Sequence, residues 1–271
     1  MAYGITDDKH YKDIANKIRE VTGTKYTYRP DEMASSGIMD VDIIAEKRGE
    51  DIGYASGLND GKIAERNTFW DTYQQNGATT SYAYAFYGTR FDDTNFYPRY
   101  DIKPTGDAQY MFASCRVTNL KQRLEECKVV LDMSGVTSGT NHFYYCRSIE
   151  LPTISTISMS GLGAMFAGSY AETIEKLILK DDGSQTFVNA FLDNYALKNI
   201  AIEGTIGQSI NFKQSPLSYE SLMDEKYGVL HRLKDYSGTS TTKTLTLSTT
   251  SKGYLSDADK AIAIQKGWTI A

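Results

Sequence analysis

The sequence predicts an α+β chain with a helical segment over residues 1–78, a stack of short repeats over 79–215 and a closing α/β unit over 216–271. Three observations support this fold class. Apolar residues near the N-terminus follow the spacing of one helical face. A phenylalanine phrase recurs through the middle of the chain, and helix-capping residues flank apolar segments near the C-terminus. Because self-similarity with a period of about 20–50 residues marks stacked units, we predict a short solenoid with a parallel β stack.

The repeated phrase is a phenylalanine, two variable residues and then a small or sulfur-bearing residue. Its copies are Phe86-Tyr-Gly-Thr89, Phe112-Ala-Ser-Cys115, Phe143-Tyr-Tyr-Cys146, Phe166-Ala-Gly-Ser169 and Phe191-Leu-Asp-Asn194. The steps between the phenylalanines are 26, 31, 23 and 25 residues. Short aliphatic runs follow the copies, among them 129–131 and the alternating 197–202, and they predict strands with one face on a core. An insert at 116–131 with a helical leucine pair explains the uneven period.

The N-terminal segment contains a row of glycines, Gly49, Gly53, Gly57 and Gly61, spaced every four residues. On a helix, such a row lies along one stripe and lets a second helix approach closely. This favours a helix-packing stripe between copies of the chain. The alternative is a linker whose glycines are turn residues, because glycine costs about 1 kcal/mol per site in a helix interior. Both interpretations stay open at this point.

The closing unit is predicted from capping residues and apolar spacing. We expect one helix from Ser218 to about Lys234, a strand over 244–248 and a last helix over 257–265 that begins with a capping box at Ser256. Gly267 should end that helix, and residues 268–270 should form an edge strand. Such a unit would cover the open end of a repeat stack.

Composition and charge exclude several partner classes. The net charge of −5 and the pI of about 5.3 argue against nucleic acid, since a duplex binder needs a basic face. No run of about 18 apolar residues occurs, so we predict no membrane insertion, and the polar first residues do not match a signal peptide. Cys115 and Cys146 share one position of the repeat, which predicts core packing rather than a disulfide framework.

The sequence contains no motif that indicates catalysis. The three histidines lie far apart and lack partners at zinc-ligand spacing. A nucleophile elbow, a phosphate-binding loop and a His-Glu-x-x-His stretch do not occur. We therefore predict a non-enzymatic protein without catalytic residues, metal site or cofactor. A glycosidase with two facing carboxylates is the enzymatic alternative, and sequence spacing cannot place such a pair.

The aromatic content indicates where a binding surface could lie. The chain has 20 Tyr against 10 Phe, and an excess of tyrosine is typical of surfaces that bind glycans or proteins. The candidate ligand contacts are Tyr87, Phe91, Tyr97, Tyr144 and Tyr145, because rigid aromatics lose little side-chain entropy on binding. The alternative is that these rings pack the first repeats. In an extended segment, the adjacent Tyr144 and Tyr145 would point to opposite faces.

Four stretches carry a resemblance to known families. The Phe-x-x-Cys repeat with downstream aliphatics resembles the leucine-rich-repeat variant of BspA-like surface proteins, although Ser169 and Asn194 replace the cysteine in two copies. The segments 13–23, 61–77 and 255–268 resemble phrases of tail proteins encoded by phages and prophages of Gram-positive bacteria.

The resemblance implies a virion protein of the tail or baseplate, made in the bacterial cytoplasm. A tail fibre or receptor-binding protein is the implied role, with other tail or baseplate proteins and a host-surface glycan or protein as partners. The resemblance to tail fibres also implies a homo-oligomer, for which a trimer is one form. The alternatives are a purely architectural tail protein that binds only other virion proteins, and a bacterial surface adhesin of the BspA-like type.

Overall fold

The computed structural model describes residues 82–88, 91–94, 96–98 and 100–271, all of which belong to one compact unit. The predicted helical segment 1–78 and its glycine stripe (Gly49, Gly53, Gly57 and Gly61) lie outside the described residues. The described part is mixed α/β, with parallel strands and few helices.

The described residues form eight strands and five short helices. The strands are β1 (Thr105–Asp107), β2 (Gly135–Ser138), β3 (Glu150–Ser155), β4 (Thr173–Ile178), β5 (Asn199–Glu203), β6 (Ile210–Phe212), β7 (Lys243–Leu247) and β8 (Trp268–Ile270). The helices are α1 (Leu120–Glu126), α2 (Tyr219–Met223), α3 (Val229–Arg232), α4 (Thr249–Tyr254) and α5 (Asp257–Gln265). The sheets have the orders β1-β2, β3-β4-β5 and β6-β7-β8, and each pairing is parallel.

A column of stacked phenylalanines runs through the core. Successive ring centroids are 4.7, 5.4, 5.6, 5.3 and 4.5 Å apart, and each ring is at most 1% exposed. The column consists of Phe86, Phe112, Phe143, Phe166, Phe191 and Phe212. The ring planes of the first four pairs are close to parallel, so each repeat stacks its ring on the ring of the next. The recurring phrase therefore marks one structural position.

Each of the first five phenylalanines lies in a tight turn, and we number turn positions from the phenylalanine as position 0. In the first four turns, the N–H groups at −2, 0 and +2 donate to carbonyl oxygens of the following turn. The Phe143 N–H, for example, donates to the Met165 carbonyl oxygen at 2.8 Å. Because these four turns have the same hydrogen-bonding pattern, their backbones continue the pairing made by the strands.

The turn backbone is left-handed at two positions in every copy. Residues at −2 have φ between 48° and 59°, and residues at +2 have φ between 51° and 73°. The former are Tyr84, Tyr110, Asn141, Ala164 and Asn189, and the latter are Gly88, Ser114, Tyr145, Gly168 and Asp193. For a residue with a Cβ, this conformation costs about 1–2 kcal/mol, so the ladder of hydrogen bonds holds strained residues in place.

A second buried column lies at position +3. Its first members among the described residues are the apolar Cys115 and Cys146, whose predicted core role is confirmed. Burial raises the pKa of the Cys115 thiol to about 11, so it stays uncharged. The later members are polar and bonded: Asn194 Nδ2 donates to Ser169 Oγ at 3.3 Å, and Ser215 Oγ donates to the Asn194 carbonyl oxygen at 2.9 Å. The substitutions for cysteine thus form their own hydrogen-bonded network.

His142 is an exception within this apolar interior. It occupies position −1, where Ala85, Met111, Met165 and Ala190 stand in the other turns, and it is fully buried. Neither ring nitrogen has a hydrogen-bond partner among the described residues. Burial lowers the pKa of the His142 imidazole to about 3, which keeps the ring neutral near pH 7.

The predicted strands are confirmed over 150–155, 173–178 and 199–203, but their burial pattern differs from simple alternation. In β3 and β4 the buried residues are three apart (Leu151 and Ile154, Ile174 and Leu177). Leu177 pairs with Ile202 and Ile174 with Ile200, so β4 has one extra residue opposite β5, as in a bulge. The strand expected at 129–131 is wrong: only Leu131 pairs, in an isolated bridge with Ile102.

The closing unit differs from its prediction at two helices. Ser218 caps a helix, but α2 ends at Met223 because the Asp224 side chain accepts from the N–H groups of Lys226 and Tyr227. That local turn replaces helical bonds and divides the predicted helix into α2 and α3. The capping box at Ser256, the helix α5 and the edge strand β8 are confirmed, and Gly267 follows α5 with φ of 79°. Helix α4 was not predicted.

Candidate binding surface

The outer positions of the turns contain a cluster of tyrosines, which we call the tyrosine surface. Its members are Tyr84, Tyr87, Tyr110, Tyr144 and Tyr145. Tyr84, Tyr87 and Tyr145 are 55%, 46% and 46% exposed, while Tyr110 and Tyr144 are half-buried. The same turns that bury a phenylalanine at position 0 display these rings at −2, +1 and +2. Three predicted contacts, Tyr87, Tyr144 and Tyr145, belong to this surface.

The tyrosines of the first two turns form one group. The rings of Tyr84 and Tyr110 stack with centroids 5.0 Å apart and an interplanar angle of 7°. Tyr87 meets both of them edge-on, at 5.5 and 6.5 Å. Because the stacked pair comes from the −2 positions of adjacent turns, the hydrogen-bond ladder fixes the spacing of the two rings. The group is therefore ordered before any ligand binds.

Tyr144 and Tyr145 form a second group in the third turn. Their ring centroids are 4.5 Å apart with an interplanar angle of 83°. The expectation that they point to opposite faces is wrong, because this segment is a turn with left-handed Tyr145 (φ 51°) rather than an extended strand. Burial, together with the adjacent Tyr145 hydroxyl, raises the pKa of Tyr144. The Tyr144 hydroxyl therefore stays protonated near pH 7 and can donate a hydrogen bond.

The following turn makes room for Tyr145. A Cβ built at Gly168, whose φ is 64°, would lie 2.6 Å from Cε1 of Tyr145. Gly168 occupies the same +2 position as Tyr145, one turn later. The glycine thus serves both a left-handed backbone and the close approach of an aromatic ring.

Two turns beyond Tyr145, the +2 position is Asp193, which is held in a polar network. Its Oδ1 accepts from Gln214 Nε2 at 2.8 Å and from the Tyr195 hydroxyl at 3.1 Å, and its backbone N–H donates to Gln214 Oε1 at 2.8 Å. Gln214 Nε2 also donates to the Tyr195 hydroxyl at 3.1 Å. The carboxylate is therefore fixed in orientation at the end of the turn stack.

The remaining predicted contacts do not belong to the tyrosine surface. Phe91 is 5% exposed and packs edge-on against Phe86, and the neighbouring Phe96 is fully buried. The prediction of Phe91 as a ligand contact is therefore wrong, because its ring packs in the hydrophobic core. Tyr97 is 38% exposed, but it lies under the Arg123 guanidinium, 4.6 Å from the ring centroid. It forms a separate cation–π pair.

Sequence reasoning missed Tyr84, Tyr110, Asp193 and Gln214. A signal for two of them was available: Tyr84 and Tyr110 stand two residues before a repeat phenylalanine, at equivalent positions. Asp193 stands at the position equivalent to Tyr145, but nothing in the sequence joins it to Gln214. That contact depends on how β6 follows the last turn.

Two open clefts lie elsewhere on the described residues. One, of about 290 Å³, lies beside β4, β5 and α2 and is lined by residues that include Glu175, Ile200 and Asp224. The other, of about 380 Å³, is lined by residues that include Asp182 and Arg232. Among the described residues, no group of three or more metal-ligating side chains comes together. Within that same part of the chain, every helix is too short or too polar to cross a membrane.

Comparisons of the chain with protein-family models, with curated proteins and with solved structures found no match.

Proposed function

We propose that this chain is a non-enzymatic virion protein of a phage tail or baseplate, which binds the host cell envelope through the tyrosine surface. The observation that carries the proposal is the display of ordered, half-exposed tyrosines by consecutive turns of one stack. Rigid aromatics with a polar tip are the side chains that dominate binding energies at recognition surfaces. The resemblance of the sequence to tail proteins supports the biological setting.

The proposed fold is a short BspA-like leucine-rich-repeat solenoid. The recurring phenylalanine and the left-handed turn positions support it, because they repeat in all five copies. The turn-to-turn hydrogen bonds, which repeat in the first four copies, support it as well. In such a fold each unit contacts its neighbours, and the outer residues of each unit are free to vary. The closing unit over 216–271 then covers the last repeat.

The test is binding of the fluorescently labelled full chain to intact cells of a panel of Gram-positive bacteria. We expect saturable binding to at least one strain and at least a tenfold loss of affinity for the Tyr87→Ser, Tyr145→Ser double variant, which corresponds to about 1.4 kcal/mol. Tyr254→Ser is the matched control, because Tyr254 is 51% exposed on α4, outside the turns. Binding only to purified tail proteins and to none of the cells would favour the architectural role.

We also propose self-association through the N-terminal segment. The glycine row at 49–61 would let two helices pack closely, as small-residue stripes do. Light scattering on the full chain and on the Gly53→Leu, Gly57→Leu variant tests this. We expect the wild-type chain to be an oligomer and the double variant to be a smaller species. If both proteins were monomers, the proposal would be contradicted.

A further inference from the structure

The three tyrosines of the first two turns, which we call the aromatic platform, leave one ring face open. The centroids of Tyr84, Tyr87 and Tyr110 form a triangle with sides of 5.0, 5.5 and 6.5 Å. If Tyr87 covered the far face of Tyr84, its distance from Tyr110 would be close to the sum of the other two sides. Tyr87 therefore lies beside the stacked pair, and neither ring covers the face of Tyr84 that points away from Tyr110.

The exposure of the platform agrees with this geometry. Tyr84 keeps 55% of its surface exposed, although one of its faces is stacked on Tyr110 and Tyr87 flanks it. Within the described part of the chain, none of the three tyrosine hydroxyl groups is hydrogen-bonded. The platform thus combines an open aromatic face with polar groups that are available to a ligand.

The backbone fixes the position of the open face. The Tyr84 N–H donates to the Gln109 carbonyl oxygen at 3.0 Å, and the Phe86 N–H donates to the Met111 carbonyl oxygen at 2.8 Å. Tyr84 and Tyr110 occupy equivalent turn positions with φ of 59° and 57°, so their side chains leave the backbone in the same direction. The platform therefore offers a fixed face, and not a protruding side chain of the kind that fills a pocket in a protein partner.

We propose that the aromatic platform binds one uncharged sugar ring of a cell-surface polysaccharide, which packs on the open face of Tyr84. A sugar ring has a face of C–H groups that suits a flat aromatic ring, and hydroxyl groups that suit the unbonded tyrosine hydroxyls. The three rings contact one another, so they leave no cage between them for a cation. The net charge of −5 disfavours anionic ligands. The inference rests on the proposed envelope binding and specifies its ligand.

The experiment uses the labelled full chain and cells of a strain that it binds, after treatment of the cells with periodate or with protease. Periodate cleaves vicinal diols of sugars, so we expect the affinity for the cells to fall at least about tenfold. Protease treatment should leave the affinity unchanged.

Variants of Tyr84 separate the ring face from the hydroxyl group. Tyr84→Ala should lower the affinity for untreated cells at least about tenfold, whereas Tyr84→Phe keeps the face and should lower it at most about threefold. The alanine variant is expected to fold, because Ala164 stands at the same turn position on the same left-handed backbone in the fourth turn. Tyr254→Ala is the matched control for the loss of an exposed tyrosine, and it should bind like wild type.

The outcomes separate this inference from the proposed function. Loss of binding after protease but not after periodate would show a protein ligand, and would overturn the sugar site while envelope binding stands. Binding that resists both treatments would overturn it as well. Periodate-sensitive binding that Tyr84→Ala leaves unchanged would place the sugar elsewhere on the chain. Failure to bind any strain of the panel would remove both proposals.

Discussion

The inner and outer sides of the same five turns follow different rules. On the inner side, position 0 is phenylalanine in every turn and its ring stacks on the next ring of the column. On the outer side, position +2 is Gly88, Ser114, Tyr145, Gly168 or Asp193 on an almost identical backbone. The inner side therefore determines how the turns stack, and the outer side is available for recognition. Each prediction below perturbs one side and compares it with the other.

The largest effect is expected from truncation within the phenylalanine column. Phe143→Ala removes a fully buried ring that contacts rings on both sides, and should lower the free energy of unfolding by about 3–5 kcal/mol. Tyr145→Ala, two residues away on the outer side, should change it by less than about 1 kcal/mol. Urea denaturation of the full chain measures both values. Equal losses would mean that the two sides are not distinct.

The pH dependence of stability should depend on His142. The folded pKa of about 3 lies below the unfolded value of about 6.5, so only the unfolded chain takes up a proton between these values. The contribution of neutral His142 to the free energy of unfolding is complete above pH 6.5 and is lost as the pH falls towards 3. When the pH is lowered from 7 to 4, the free energy of unfolding of the wild-type chain should fall by up to about 3 kcal/mol more than that of the His142→Met variant. Urea denaturation at both pH values measures the two changes.

His142→Met also tests the column at neutral pH. Methionine stands at the same position in two other turns, and its side chain leaves no buried ring nitrogens without partners. We expect the variant to be more stable than wild type by about 1–3 kcal/mol at pH 7, measured by urea midpoint. A parallel pH response in the two proteins would rule out His142 as the source.

The next effect concerns the polar half of the column at position +3. Asn194→Ala removes the acceptor of the Leu197 N–H and the donor to Ser169, and should cost about 1–3 kcal/mol. Cys146→Ser should also destabilise, by about 1–3 kcal/mol, because it places a polar hydroxyl where a buried sulfur packs as an apolar group. If serine were tolerated at 146 without loss, the two halves of the column would be interchangeable.

A smaller effect is expected from the outer backbone of the fourth turn. Gly168→Ala places a Cβ at φ 64° against the Tyr145 ring and should destabilise by about 1–2 kcal/mol. Ala164→Gly, at φ 48° in the same turn, removes a Cβ from the same kind of backbone and should stabilise by up to about 1 kcal/mol. If the left-handed positions are strained, the two variants should shift the melting temperature in opposite directions relative to wild type. Shifts in the same direction would contradict this.

The sequence was most informative where a local rule decides the structure. The capping box at Ser256, Gly267 and the helical leucine pair of α1 depend on residues a few positions apart, and the structure confirms all three. The divided helix at Asp224 and the bulge in β4 depend on side-chain competition and on pairing across units, which spacing does not report. The tyrosine surface includes three residues that the sequence predicts as candidate contacts, Tyr87, Tyr144 and Tyr145. The contact of Asp193 with Gln214 depends on tertiary stacking, which the sequence does not report.

Paired measurement of stability and cell binding on one set of variants tests the central claim most directly. The account predicts that the Tyr87→Ser, Tyr145→Ser variant keeps its unfolding free energy to within about 1 kcal/mol and loses at least about tenfold in affinity for the cells. Tyr254→Ser should change neither quantity. Undiminished binding by the folded double variant would contradict the assignment of recognition to the tyrosine surface.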